Sequence, residues 1–595
     1  MPANLTEFGI TKEQNVFKQM FLFSILSILL LQTGLAQDLT PSALKAMGAP
    51  NNPQVEVAWN RYYDYDGIVD IAERLQKAFP QLVRVSTIGT SVQGLDMIVL
   101  TVSNFKSGDV NRKPAMYIDG NIHSNEIQGS EVALYTAWYL AESFGSIDWI
   151  TELLNQKTFY IVPSINPDAR DYYIHEANTP HSPRSGMLPR DDDGDGLLDE
   201  DPPDDLNGDG FIVRMRKANP HGRWTTHPDD PRLMVRADAD EPGEYDLLGW
   251  EGYDNDGDGE INEDGPGYYD PNRNWGWNWQ PTYVQGGSDR YPFSIPENRA
   301  VADFVLAHDN IAGAQSYHNS GGMILRGPGV AADSSYSPQD VQVYDNLGKV
   351  GEEMLPGYDY MVLYKDLYSV YGGELDWFYG ARGIFTFSNE LWTSFNYFRK
   401  PEEGQGWFGR QEDTYRFDEL LLFGEGIVDW QTVEHPQYGT VEIGGVKKSW
   451  TRTPPSFMIE DMCHRNMAFT LFHAYHLPHV VIDTVEVNAL NGNLYQIDAV
   501  AVNTRLIPTR SNHEVKHQFT RPDWLTLEGP QVVAGFIVHD VYLNDLTEQE
   551  FVPQRLNIDT VPAMEEVRVR WLVRGKPNGS ITFDSLKGGI VQRSF

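Results

Sequence analysis

From about residue 61 to 475, short apolar runs alternate with longer stretches whose apolar residues recur at helical spacing. "LDMIVLTVSN", "PAMYIDGN", "TFYIVPSIN", "IAGAQSYHN" and "GIFTFSNE" read as strands. "GIVDIAERLQKAF", "GSEVALYTAWYLAESF", "IPENRAVADFVLAH" and "FMIEDMCHRNMAFTLFHAYH" read as helices. This alternation predicts an α/β domain over residues 55–478. Several strand runs end in a polar or ionisable residue followed by a loop. Ligands of α/β folds bind beyond the carboxyl ends of the strands, so His123, Asn166, His318 and Glu390 are expected on one rim. After His476 the texture changes to "VVIDTVEVNAL", "VVAGFIVHDVYL" and "VRVRWLVRG", separated by turn residues. That period of two predicts an antiparallel β-sandwich over residues 479–595, a stabilising or docking module without concentrated chemistry.

The chain opens differently. "FKQMFLFSILSILLLQTGLAQ" sets a lysine before a short apolar run and then Gly34-Leu35-Ala36. That order predicts a secretory signal over residues 1–36, cleaved after Ala36, with Met20 a plausible start. The run is too short to span a bilayer comfortably, so no membrane anchor is expected after cleavage. The expected location is secreted or periplasmic, in a bacterial envelope setting. Cys463 is the single cysteine. It forms no disulfide within the chain and is expected as a small buried side chain.

Charge changes the picture further. A net charge of -38 over 595 residues argues against nucleic acid and anionic membrane as partners, because both would repel such a surface. The excess is concentrated in an insertion at residues 190–266. "DDDGDGLLDED", "DLNGDGFI" and "DNDGDGEINED" each alternate oxygen-bearing side chains and place a glycine sixth. Such loops offer a hard cation several oxygens at once, so structural Ca2+ is predicted on Asp191, Asp193, Asp195, Asp199 and Asp201, on Asp205, Asn207 and Asp209, and on Asp254, Asp256, Asp258, Asn262 and Asp264. None has glutamate at the twelfth position, which favours a looser aspartate-rich loop over a helix-flanked hand. A solvated acidic loop is the plain alternative.

In "YIDGNIHSNEIQGSE" a strand-like run ends and His123 and Glu126 follow three residues apart. With 15 histidines in the chain, about one His-x-x-Glu arises by chance, so the spacing alone decides little. Further segments decide more. "GNIHSNE", "PSINPDARDYY", "VRMRKANP", "DPNRNW", "QSYHNSGG" and "YSVYGGELDWFYGARGIFTFSNELW" follow one another in an order that resembles the zinc carboxypeptidase family of carboxypeptidase A type. "HPQYGTVEIGG" is similar to a segment of bacterial members. Ala169 stands where glycine is usual, and Asn125 where arginine often lies.

The resemblance covers about residues 55–478 and implies a mixed central sheet flanked by helices. It implies one catalytic Zn2+ on His123, Glu126 and His318; two imidazoles and a carboxylate are an established zinc set that leaves a position for water. It implies Glu390 as general base and acid, and Arg216, with Arg214 as fallback, as the cation for the developing oxyanion. Asn272 and Arg273 would hold the substrate's terminal carboxylate, Arg273 through two parallel hydrogen bonds. Tyr368 would close over the substrate. Leu375 falls where the family sets its preference, and an aliphatic residue there implies an apolar or aromatic C-terminal side chain. The expected protein is a secreted zinc carboxypeptidase acting on peptide or protein C-termini. A relative that cleaves peptidoglycan peptides and a non-catalytic calcium-binding protein on a peptidase scaffold are the alternatives.

Overall fold

A computed structural model describes residues 46–333, 336–399 and 410–595. The expected signal at 1–36 lies outside these residues. Residues 46–56 belong to a unit of their own and contain no helix or strand; residues 57–595 form the other unit. No helix among the described residues is long and apolar enough to cross a membrane.

The larger unit begins with α1 (Tyr65–Ala78), started by Asp64, whose carboxylate accepts from Gly67 N at 2.9 Å. Side-chain capping of this kind satisfies a helix-end N–H that has no partner within the helix. Strands β1 (Val83–Thr90), β2 (Asp96–Val102) and β3 (Ala115–Gly120) follow, then α2 (Gln128–Ser143), β4 (Thr158–Val162) and α3 (Pro167–His175). A second group of strands comprises β5 (Arg214–Gly222), β6 (Trp224–Thr226), β7 (Met234–Arg236) and β8 (Gly243–Trp250). The chain continues through α4 (Pro296–Leu306), β9 (Ile311–Asn319), β10 (Met323–Arg326), α5 (Pro338–Met354), β11 (Asp359–Val362), α6 (Glu374–Arg382) and β12 (Phe385–Leu391). Strands β13 (Ile427–His435) and β14 (Gly439–Val446) precede α7 (Ile459–Tyr475).

The first sheet has the order β1-β2-β4-β3-β9-β12-β10-β11. Its centre is parallel, β4 with β3, β3 with β9 and β9 with β12, while β1, β2 and β10 join antiparallel. Every residue of β3, β4 and β9 is buried, as expected for parallel strands covered on both faces. On one face Tyr117, Val301, Val305, Trp377 and Phe378 join strands to α4 and α6 in a single apolar cluster. On the other, α7 packs closely enough that a Cβ on Gly313 would lie 2.8 Å from Leu477 and 2.9 Å from His473. Cys463 sits buried in α7. The mixed, helix-flanked sheet agrees with the expectation.

Strands β13-β14-β5-β8-β6-β7 form a separate six-stranded sheet, which no segment of the sequence announces. Beyond α7 come β15 (Val480–Ala489), β16 (Leu494–Asn503), β17 (Asp523–Glu528), β18 (Gln531–Asp540), β19 (Asp545–Glu548), β20 (Arg555–Ile558), β21 (Glu566–Arg574), β22 (Ser580–Ser585) and β23 (Gly589–Ser594). They make two antiparallel sheets, β15-β16-β21-β18-β19 and β20-β17-β22-β23. Ile497 and Trp571 of one and Leu525 and Phe583 of the other meet in one core. Polar bonds tie this sandwich to the first sheet's helices. Asp340 of α5 accepts from Asn512 N at 3.0 Å, and buried Lys587 donates to Arg382 O at 2.7 Å and Glu514 at 2.8 Å.

Candidate active site

Three neighbouring strands, β3, β9 and β12, deliver the expected ligands and base to one edge. Gly120 ends β3 against the first turn of α2, where a Cβ would lie 2.5 Å from the carbonyl carbon of Gly129. Only glycine admits that approach. The loop between them turns at Asn121, φ 58°, and the Asn121 side chain donates to His123 O at 2.8 Å and Ser124 O at 3.2 Å. Arg170 of α3 donates to Ile127 O at 2.7 Å. His123 and Glu126 are thereby held on a braced loop. His318 lies near the end of β9, and Glu390 is its register partner on β12. Side chains of paired residues project from the same face of a sheet.

The donor atoms converge. Glu126 Oε2 is 3.0 Å from His123 Nδ1 and 2.9 Å from His318 Nδ1, and the two nitrogens are 3.2 Å apart. All three residues are buried. His123 Nε2 is 2.9 Å from Asp270 Oδ1, a contact that places the ring proton on Nε2 and turns the Nδ1 lone pair toward the cluster. Glu126 Oε1 accepts from Arg184 Nη1 at 2.6 Å and lies 3.4 Å from Arg452 Nη1. Burial pushes the Glu126 carboxyl up, but the His123 ring and the Arg184 guanidinium beside it outweigh that and hold the group well below the usual carboxylate range. Glu390 goes the other way. Burial first, and the Glu126 charge second, push it up to about 7.

A cavity of about 30 Å3 opens on the cluster, lined by His123, His318, Glu390, Asn272, Arg273, Tyr368 and Leu375 among others. Arg273 Nη1 donates to Asn272 O at 2.7 Å, and the Asn272 side-chain oxygen accepts from Glu374 N at 2.8 Å. Tyr368 is half-exposed, its ring centroid 6.0 Å from the Arg273 guanidinium. Leu375 joins Leu325, Leu363 and Val370 in an apolar patch at one end. Asn166 belongs to the scaffold: its amide donates to Ile122 O at 3.2 Å and Ser185 O at 3.0 Å.

Arg216 is not brought here. On β5 it pairs with Glu442 of β14 at 2.8 Å and is clamped between the rings of Tyr245 and Trp430, at 4.1 and 4.0 Å. The expected catalytic arginine is therefore corrected to a structural one, fixed in the second sheet. Arg214, the fallback, stacks on Trp250 at 3.7 Å and faces a different cavity. Arg184 stands beside the cluster and borders its cavity, 2.6 Å from Glu126 Oε1. It stands in a segment that Ser124 fixes by donating to Pro183 O at 2.6 Å. Its sequence signal is position: it follows the Asn166-Pro167-Asp168 turn and precedes the acidic insertion, whereas Arg216 lies within it. Asp270 also carries a signal, in the "DPNRNW" that supplies Asn272 and Arg273.

The aspartate loops close on their own glycines. Asp191, Asp205 and Asp254 accept from Gly194, Gly208 and Gly257 N at 2.6, 2.8 and 2.6 Å. Carboxylate oxygens of Asp193, Asp195, Glu200 and Asp256 lie within 4.8 Å of one another, as do those of Asp191, Asp193 and Asp264 and those of Asp254, Asp256 and Asp258. Asn207 donates to Asp209 at 3.1 Å. Asp199, Asp201 and Asn262 also have backbone partners. Asp199 accepts from Arg190 N at 3.2 Å, Asp201 from Asn255 N at 2.9 Å and Asn262 N at 2.6 Å, and Asn262 donates to Trp250 O at 3.2 Å.

Known proteins bear on these findings. A family model described as zinc carboxypeptidase matches residues 68–186 and 218–405, and one described as a domain of unknown function matches 479–595. Arg184 lies within the first match and Arg216 in the gap. Carboxypeptidase B of Astacus astacus is 26% identical over 359 residues, covering 58% of this chain and 91% of that protein. An inactive metallocarboxypeptidase of Ajellomyces capsulatus is 30% identical over 125 residues, covering 21% of each. Among solved structures, thrombin activatable fibrinolysis inhibitor aligns at 18% identity over 72% of this chain and 80% of that one, with a TM-score of 0.43.

The Asp270 contact gives an expected outcome. Asp270→Asn should weaken divalent-ion binding by about 10–100-fold, measured by competition with a chromophoric chelator. Unchanged affinity would show that His123 is oriented without it.

Proposed function

The chain belongs to the zinc carboxypeptidase family, and from that premise we propose that it is a secreted, zinc-dependent carboxypeptidase hydrolysing the last bond of peptides and proteins. One observation carries this above the others: Glu390 stands in register with His318, directly beside the buried His-Glu-His cluster. That arrangement favours a working hydrolase over a silent binding scaffold. Secretion is supported by the short apolar run ahead of Gly34-Leu35-Ala36. The division into a catalytic part, 55–478, and a β-sandwich part, 479–595, belongs to the same reading.

His123, Glu126 and His318 would hold the ion. Their donor atoms, 2.9 to 3.2 Å apart, fit one face of a tetrahedral site, whose edges are about 3.3 Å for bonds of about 2.0–2.1 Å. Zinc bound there supplies Lewis acidity and a more acidic water. The remaining work falls to the chain. Glu390 takes a proton from the attacking water as its oxygen bonds to the carbonyl carbon. It then delivers that proton to the amide nitrogen as the C–N bond breaks. Arg184 faces the negative charge that develops on the carbonyl oxygen. Arg273 and Asn272 bind the terminal carboxylate, which limits cleavage to the chain end, and Tyr368 covers the bound residue.

Preference follows from the patch of Leu325, Leu363, Val370 and Leu375, which suits an apolar or aromatic terminal side chain. Asp376 also borders the cavity, but both its oxygens accept from Gly329 N, at 2.9 and 2.7 Å, and burial pushes its carboxyl up to about 7. It is poorly suited to act as an anion for a lysine or arginine. Calcium on the aspartate loops is a further part of the proposal, supported by the grouping of Asp193, Asp195 and Glu200 with Asp256 from a distant loop.

Free peptides ending in leucine or phenylalanine should lose that residue, and C-terminally amidated ones should not; release from neither would refute the activity. Glu390→Gln should retain one zinc per chain while kcat falls about 10²–10⁴-fold. Because Glu390 is raised and acts as a base, its useful form is present above its pKa. In the wild type, kcat/KM should therefore decline as pH falls through about 7, or through a lower value once the ion's charge stabilises the carboxylate. Arg184→Ala should cost about 10²–10³ in kcat with zinc retained, whereas Arg216→Ala should leave kcat essentially unchanged. Equal losses would return Arg216 to the chemistry. Calcium added to chelator-stripped protein should raise Tm, with about 2.7 kcal/mol gained at 100-fold over Kd; an unmoved Tm would remove calcium from the account.

A further inference from the structure

A cavity of about 860 Å3 lies between the second sheet and the ends of the strands that carry His318 and Glu390. Ser320 and Gly321, just past His318, and Trp392 and Thr393, just past Glu390, line its near side. Its far side is built by Arg214, Trp224, Trp250 and Trp430 from the second sheet. Arg452 joins it to the cluster. One nitrogen of that guanidinium is 3.4 Å from Glu126 Oε1 and the other 3.1 Å from His181 Nδ1, and His181 also borders the cavity.

Its charge runs against the rest of the molecule. The chain carries 84 acidic residues against 46 lysines and arginines, yet among the described residues the lining includes Arg214, Arg452 and no aspartate or glutamate. Arg214 makes no ion pair among the described residues. Its guanidinium carbon sits over the Trp250 ring, 3.7 Å from the centroid, a contact that leaves its N–H groups for another partner. A carboxylate is the partner whose geometry matches those groups. The surrounding indole and phenol rings would pack the aliphatic stem and backbone of a peptide.

We propose that this cavity receives the part of the substrate upstream of the scissile bond and selects an acidic side chain there through Arg214. The inference rests on the carboxypeptidase reading. With the terminal carboxylate at Arg273 and Asn272, the chain leaves the cluster past Glu126 and Arg452 and enters the cavity. The long insertion and the strands of the second sheet thus act in substrate choice, and Arg214 is a specificity residue.

The test uses the full-length zinc-loaded protein and peptide pairs with a C-terminal phenylalanine. The two members of a pair differ only by glutamate or glutamine at one of the first few positions upstream of the scissile bond. At one position kcat/KM should favour glutamate by about tenfold or more, chiefly through KM. The preference should shrink as salt is raised, because the cavity is open and the attraction is screened. In Arg214→Gln the ratio should fall to near one. Equal cleavage of every pair by the wild type would overturn this inference while leaving the activity standing. A ratio that survives both salt and Arg214→Gln would also overturn it. Cleavage of no peptide would instead refute the carboxypeptidase reading.

Discussion

One buried carboxylate organises the site. The two oxygens of Glu126 face opposite ways, Oε2 toward both imidazoles and Oε1 toward Arg184 and Arg452. Removing a carboxylate from water costs several kcal/mol unless its partners are close and fixed, so the surroundings must be rigid. Rigidity comes from backbone contact. The Gly120–Gly129 approach, the Asn121 amide and Arg170 lock the loop that carries His123 and Glu126 before any ligand is considered. Because β9 lies beside β3, the same contact sets the distance to His318.

The raised Glu390 is a consequence of this arrangement. A second carboxylate beside an ionised one, in a partly desolvated cleft, resists losing its proton. Arg184 and Arg452 moderate that resistance, together with His318. A carboxyl poised near neutrality follows from burial and a neighbouring charge. Asp270 extends the same logic outward. Burial opposes its ionisation, but Arg273, His123 and Arg184 hold it well below the usual range, so it can accept the His123 proton and steady Arg184 together.

The sequence disclosed the parts that follow local rules. His123 and Glu126 sit at a strand-to-helix turn, and His318 and Glu390 end apolar strand runs, so their convergence could be read from pattern and motif order. The second sheet was hidden because β5, "RMRKANPHG", lacks alternation and has only Met215, Ala218 and Pro220 as apolar side chains. Its partner β14 lies more than 200 residues away, and their pairing of Arg216 with Glu442 is a tertiary event. That hidden sheet takes up Arg216, inside the insertion, and leaves Arg184, ahead of the insertion, beside the cluster. Alternation counts oxygens and not their other partners: backbone N–H groups of neighbouring loops also donate to Asp199 and Asp201. Glu200 falls between them out of phase and still reaches a carboxylate group.

Overall charge and local charge then act over different ranges. At physiological salt the Debye length is about 8 Å, so a peptide at a distance meets an acidic molecule and one in the cleft meets guanidinium groups. Arg184, Arg273 and Arg452 surround the cluster and its cavity, while the aspartates gather in loops at 190–210 and 254–264. A long anionic polymer spans many screening lengths and is repelled by most of what it touches. A single carboxylate at a chain end is small enough to respond to the arginines alone. Separation of charge within one chain therefore sets a group of guanidiniums around the buried cluster of a strongly acidic protein.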